Sequence, residues 1–121
     1  MGGYRNIKLK IISIIGARPQ FVKAAVFRKY CRENGVNEIL LHTGQHYDHK
    51  MSDGIFEELR VKSADIKMHL DKRTHGGMTG ELIGKIESVL LHEKPDFVNL
   101  YGDTNSTLSG ALAAAKLNIP V

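Results

Sequence analysis

Apolar and polar positions follow two periods along this chain, and each change of period marks an element. Residues 8–15 are apolar and β-branched and stop at Gly16, which predicts a strand buried on both faces. Residues 19–34 take helical spacing, with Pro19 suited to the first turn and Asn34-Gly35 to the stop. Here Lys23 falls on the stripe of Val26, Phe27 and Tyr30, read as the buried face. Residues 37–44, NEILLHTG, predict a second strand. Residues 48–61 predict a helix weakened by Gly54, with Ile55, Phe56 and Leu59 toward the core. Residues 65–70 predict a short third strand near an edge, and residues 72–77, KRTHGG, a glycine-rich loop. From 78 to 93, Met78, Leu82, Ile83, Ile86, Val89 and Leu90 recur at helical spacing. Residues 96–102 predict a fourth strand and residues 104–117 a helix of small residues ending at Asn118.

Strand-helix alternation repeated four times predicts an α/β fold: a parallel sheet covered on both faces by right-handed crossovers. The closing residues, IPV, read as the opening of a fifth strand, so residues 1–121 are expected to be an incomplete domain from the front of a longer protein. An unfinished strand also leaves an edge prone to association.

Composition narrows the function classes. At 121 residues, 42% apolar and 25% charged, the chain can bury one core, and disorder is excluded. No apolar run reaches membrane-spanning length, Lys8, Lys10 and Ser13 spoil a signal peptide, and Asn6 spoils a myristoylation signal. A single cysteine, Cys31, makes no internal disulfide, and the expected compartment is the cytoplasm. Residues 1–34 hold eight Lys/Arg against one acidic residue, which suits an anionic partner. Stacking aromatics and nucleic-acid motifs are missing there, so the expected anion is a phosphorylated small molecule rather than nucleic acid. Arg28, Lys29 and Arg32 read as a solvated basic helix face.

In such sheets ligands sit beyond the carboxyl ends of the strands, and GARPQ, TGQHYDH and YGDTNST all lie there. Gly16 permits a tight turn and close backbone approach, the next helix offers free N–H groups, and Arg18 adds a planar charged fork for phosphate. Lys23 reaches up from that helix to an anion or to solvent. After the fourth strand, Gly102, Asp103 and Thr104 open a helix. Position alone leaves Asp103 open between capping that helix and contacting substrate. His42, His46 and His49 lack partner cysteines and a paired-histidine helix motif, so no metal is expected. His46 beside Gln45 and Asp48 reads as a polar patch on the crevice.

Together, IIGARPQFVKAA, LLHTGQHYDHKMSDGIFEEL and KPDFVNLYGDTNSTLSGALAAAKLNIPV resemble the non-hydrolysing UDP-N-acetylglucosamine 2-epimerases across residues 8–121. The GARPQ and TGQHYD forms are more similar to the branch acting on UDP-linked diacetamido-dideoxy-glucuronate. The resemblance implies the first of two Rossmann-like domains facing a cleft, as in B-type glycosyltransferases, with the second domain absent from this chain. It implies a UDP-sugar substrate, no cofactor, and C2 epimerisation by elimination and re-addition of UDP. It also implies Arg18 near the diphosphate, Asp103 close to the sugar and Lys23 as the catalytic residues, and Gly16, Gln45, His46, Gly102 and Thr104 in substrate binding. Gln45 and His46 match a segment that binds a second, activating nucleotide sugar in some members. Asp48 stands where those members carry glutamine, which counts against activation here. The family's two catalytic glutamates and most uridine contacts have no counterpart in this chain. It is therefore expected to be inactive alone, acting as a homodimer or with a complementing carboxyl-terminal chain. The alternative is a non-catalytic nucleotide-sugar-binding or subunit-association domain.

Overall fold

The structure, a computed structural model, describes residues 8–16, 20–44, 49–102 and 104–121, with the backbone alone for residues 49–53. Its elements run β1 (Lys10–Ile15), α1 (Phe21–Glu33), β2 (Asn37–His42), α2 (His49–Glu58), β3 (Ile66–Lys67), α3 (His75–Glu93), β4 (Phe97–Leu100) and α4 (Asn105–Lys116). All strand pairs are parallel in the order β3-β2-β1-β4, which puts the most apolar strand at the centre and the two-residue β3 at the edge. Val98 N–H donates to the Pro120 carbonyl at 2.9 Å, so the segment after α4 returns along β4.

Alternation along the strands divides the core into two layers. Ile12, Ile14, Leu41 and Val98 face Leu82, Ile86 and Leu90 of α3 and Ala113 and Ala114 of α4. Ile15 and Leu40 face Phe21, Ala24 and Ala25 of α1 and Phe56 of α2. As expected, α2 turns Phe56 inward with Ile55 and Leu59 packed beside it, and α4 uses its alanines for close packing.

Three sequence expectations change. On α1 the helical period holds but its phase is wrong. Phe21, Ala24, Ala25 and Cys31 are buried, while Val26 and Tyr30 are 55% and 58% exposed. Two alanines let α1 lie close on the sheet, and the bulkier stripe turns outward. Arg28 is not solvated. Its side chain is 12% exposed and bridges Glu38 at 3.3 Å and Asp65 at 2.7 Å. The KRTHGG segment is loop only as far as Thr74, whose hydroxyl caps α3 by accepting from Gly77 N–H at 3.0 Å. The cap offsets the low helix propensity of Gly76 and Gly77.

Arg60 takes a left-handed conformation (φ 57°) where α2 ends. Val61 N–H donates to Phe56 and Arg60 N–H to Glu57, both at 3.0 Å, a helix end that usually takes glycine. At the start of α3, the Glu81 carboxylate accepts from Asp71 N–H at 3.0 Å and Lys72 N–H at 2.9 Å and pairs with Lys85 at 3.1 Å. These bonds, the Lys72 N–H first, hold its pKa down at about 2. A depressed carboxylate contributes stability that is present above its ordinary value near 4.5 and lost as pH falls toward about 2. Denaturation midpoints followed from pH 5 to pH 2 should drop for the parent chain, and Glu81→Gln should show a shallower drop.

Candidate active-site floor

Beyond the carboxyl ends of the strands, three chain turns meet in one hydrogen-bonded knot. Thr43 Oγ1 and Ser106 Oγ share a buried hydrogen bond of 2.8 Å across the end of β1, tying the end of β2 to the start of α4. Gly16 lies against that pair. A β-carbon there would stand 2.5 Å from Thr43 Oγ1 and collide with Ser106 Oγ. The glycine is thus required by space, not by backbone conformation.

Gln20 makes the second tie. Its Oε1 accepts from Gly16 N–H at 2.9 Å, and its Nε2 donates to the Tyr101 carbonyl at 2.7 Å. One buried amide thereby fixes the turn after β1 relative to the turn after β4. Thr107 Oγ1 donates to the same carbonyl at 2.5 Å. Gly102 follows with φ 69°, a left-handed turn that other residues rarely adopt. Thr104, in extended conformation, is the N-cap of α4, and its hydroxyl accepts from Thr107 N–H at 3.4 Å. The capping position weighed for Asp103 therefore belongs to its neighbour.

Of the residues singled out from sequence, Gly16, Gly102 and Thr104 come together on this floor. Lys23 is exposed in the first turns of α1, at the crevice end of the helix rather than on its packed stripe. Arg18, Gln45, His46 and Asp103 lie outside the described residues. His42 is buried, its Nδ1 accepts from Gly44 N–H at 2.9 Å, and its ring packs 5.5 Å from that of Phe21. This histidine shapes the turn after β2. Beyond β2 and β3 a cavity of about 310 Å³ opens, with Lys67 and Arg73 among its walls.

Sequence pattern does not single out Gln20, Thr43, Lys67 or Arg73, and it marks Ser106 only as one of the small donors at the helix start in YGDTNST. Gln20 carries a signal in hindsight, a long amide set between a strand-ending turn and a helix. Thr43 and Ser106 stand 63 residues apart, and no period links them.

Comparison with known proteins agrees with this fold. Residues 28–121 match the family described as UDP-N-acetylglucosamine 2-epimerase, and the chain belongs to that family. It is 51% identical over 114 residues to a Pseudomonas aeruginosa UDP-2,3-diacetamido-2,3-dideoxy-D-glucuronate 2-epimerase, covering 93% of this chain and 32% of that protein. It is 44% identical to a Methanococcus maripaludis UDP-N-acetylglucosamine 2-epimerase over 93% of this chain and 30% of the relative. The crystal structure of the Methanocaldococcus jannaschii UDP-GlcNAc 2-epimerase in complex with UDP-GlcNAc and UDP superposes with a TM-score of 0.83. It shares 39% identity over 92% of this chain and 31% of that one. The chain thus spans about a third of the length of these relatives. Among the described residues no helix is long and apolar enough to cross a membrane.

The knot predicts two stability effects. Gly16→Ala should force the Thr43–Ser106 pair apart and lower unfolding free energy by about 1–3 kcal/mol. Gln20→Glu removes the donor to Tyr101 and leaves a carboxylate against its carbonyl, for a loss of about 1–3 kcal/mol that couples to the Gly16 change through their shared hydrogen bond. Urea unfolding of each variant measures both.

Proposed function

We propose that this chain supplies the diphosphate-facing half of a UDP-sugar C2-epimerase site. The observation that carries the reading is the knot itself. In a member of this family, it ties Gly16 and Gln20, which flank Arg18 in the sequence, to Tyr101, two residues before Asp103. The substrate is a UDP-2-acetamido sugar, and the high identity to a diacetamido-glucuronate epimerase favours that branch.

The chemistry explains the residue types. The C2 proton of a nucleotide sugar is not beside a carbonyl, so its direct removal is prohibitive. Breaking the C1–O bond instead sends the electron pair out with UDP. Loss of the C2 proton to a base then leaves a glycal with a C1–C2 double bond. Return of UDP to C1 and of a proton to the opposite face of C2 completes the inversion. The departing diphosphate gathers negative charge, which Arg18, Lys23 and the N–H groups opening α1 are suited to hold. Asp103, on the turn beside Gly102 and Thr104, is placed in sequence to serve proton transfer at the sugar. Gln45 and His46, which follow β2 in the sequence, are assigned as further substrate contacts. The reaction requires no cofactor or metal.

Because the chain spans about a third of its relatives, the reading assigns it a half-site and leaves the remaining groups to a second domain or a complementing chain, with a homodimer as the assembly. The alternative, a domain that binds nucleotide sugar without chemistry, predicts the same binding and differs only in what happens at C2.

Calorimetric titration with UDP tests the half-site. Arg18→Ala should weaken binding by about 1.5–3 kcal/mol, roughly 10- to 150-fold, as expected for loss of charge-assisted bonds to phosphate. Asp103→Asn should leave UDP binding within about twofold, since it removes a charge from the sugar side alone. A folded chain that ignores UDP overturns the half-site.

A further inference from the structure

We propose that a second anion site, built for a phosphate group, lies at the opposite end of the sheet from the crevice. A cavity of about 390 Å³ opens there between the end of α1, the start of β2 and the turn after α2. Its volume accommodates a diphosphate. Lys8, Arg28, Arg32, Arg60 and Lys62 line it, against one carboxylate, Glu38.

Pairing within the wall leaves most of that positive charge unspent. Arg28 is committed to Glu38 and Asp65. Lys62 reaches Asp65 only at 3.9 Å. Among the described residues, Lys8, Arg32 and Arg60 have no carboxylate within 4.0 Å. Some of the charge complements the carbonyl ends of α1 and α2. Arg32 does so directly, donating from Nη1 to the Arg60 carbonyl at 2.5 Å, one of the five donors its fork carries.

That bond also orders the site. It clamps the turn in which Arg60 holds its left-handed conformation, a place where glycine would sit without strain. The same left-handed stop recurs at Lys94 after α3 and Asn118 after α4, and at this one the side chain of Arg60 lines the cavity. Two guanidinium forks set at one concave surface match the oxygens of a phosphate. Cys31 also lines the cavity, but burial, aided by the charge of Glu38, pushes its pKa up to about 11. The neutral thiol adds no negative charge to the cavity wall.

Amide shifts in a ¹⁵N-labelled full chain, titrated with inorganic pyrophosphate against sodium chloride of equal ionic strength, test the proposal. Saturable shifts at Gly35–Asn37 and Arg60–Lys62 are expected with pyrophosphate alone. Arg60→Gly is the diagnostic variant, because it relieves the left-handed strain while removing a cation. It should raise the melting temperature and weaken pyrophosphate about tenfold, the loss of one charge-assisted contact. A parallel UDP titration identifies the source. The same amides moving with UDP assign a nucleotide diphosphate, and movement with pyrophosphate alone assigns the free anion. Shifts that merely follow ionic strength, or an Arg60→Gly chain that binds as tightly as the parent, overturn the site.

Discussion

The buried hydroxyl pair of Thr43 and Ser106, closed over Gly16 with no space for a β-carbon, is the constraint on which this crevice rests. It locks the end of the central strand to its neighbour β2 and to the helix that follows β4. Both residues are fully buried, and a hydrogen bond in so low a dielectric is stronger than the same bond in water. Gln20 extends the lock to α1 and to Tyr101, the first residue after β4. Each loop carrying proposed chemistry therefore departs from a fixed point. Positioning of this kind is what an elimination reaction at a diphosphate needs, since misplaced cations lose most of their effect on the leaving group.

Much of this was legible in the chain. Gly16 ends a β-branched run, Asn34-Gly35 ends a helix, and the alternation of elements leaves a parallel sheet as the simplest arrangement. Edge placement of β3 followed from its shortness. What failed was phase rather than period. The α1 stripe through Val26 and Tyr30 is the more hydrophobic, yet Ala24 and Ala25 face the sheet, because the closeness of helix to sheet was decided by size and not by hydropathy. Arg28 was misread for a related reason. Its partners, Glu38 and Asp65, lie on other elements, and only the folded chain brings them within reach. The Thr43–Ser106 contact is invisible in the same way, whereas Gly16, its consequence, can be read directly. The turns holding Gly102 and Thr104 were readable because they obey local rules. The assignment of the cap to Thr104 rather than Asp103 turned on a single residue, finer than pattern resolves.

The face of the sheet under α1 changes character along its length. Toward the crevice it is apolar, with Ile15 and Leu40 against Phe21 and Phe56. Toward the other end it carries a chain of polar contacts across three strands. Asn99 donates to Tyr101 Oη at 3.0 Å and to Ser13 Oγ at 3.2 Å, and Ser13 donates to Glu38 at 2.5 Å. Glu38 in turn meets Arg28, whose other nitrogen reaches Asp65. Asp65 also accepts from Leu40 N–H at 2.9 Å, so the ion pair sets where the segment before β3 docks.

Burial raises the pKa of Glu38 despite the bond from Ser13 and the charge of Arg28. A carboxylate raised on folding favours the folded state below its unfolded pKa and loses that contribution as pH rises through its folded one. The cost of burying the Glu38 carboxylate is offset first by the Ser13 hydroxyl and then by Arg28, and breaking such a pair is worse than never having formed it. The two ends of the sheet are consequently governed by different forces. At the carboxyl end, backbone groups, hydroxyls and one amide fix geometry with little net charge among the described residues. At the amino end a half-compensated ion pair commits one arginine inward, and the cations around it are left facing the cavity.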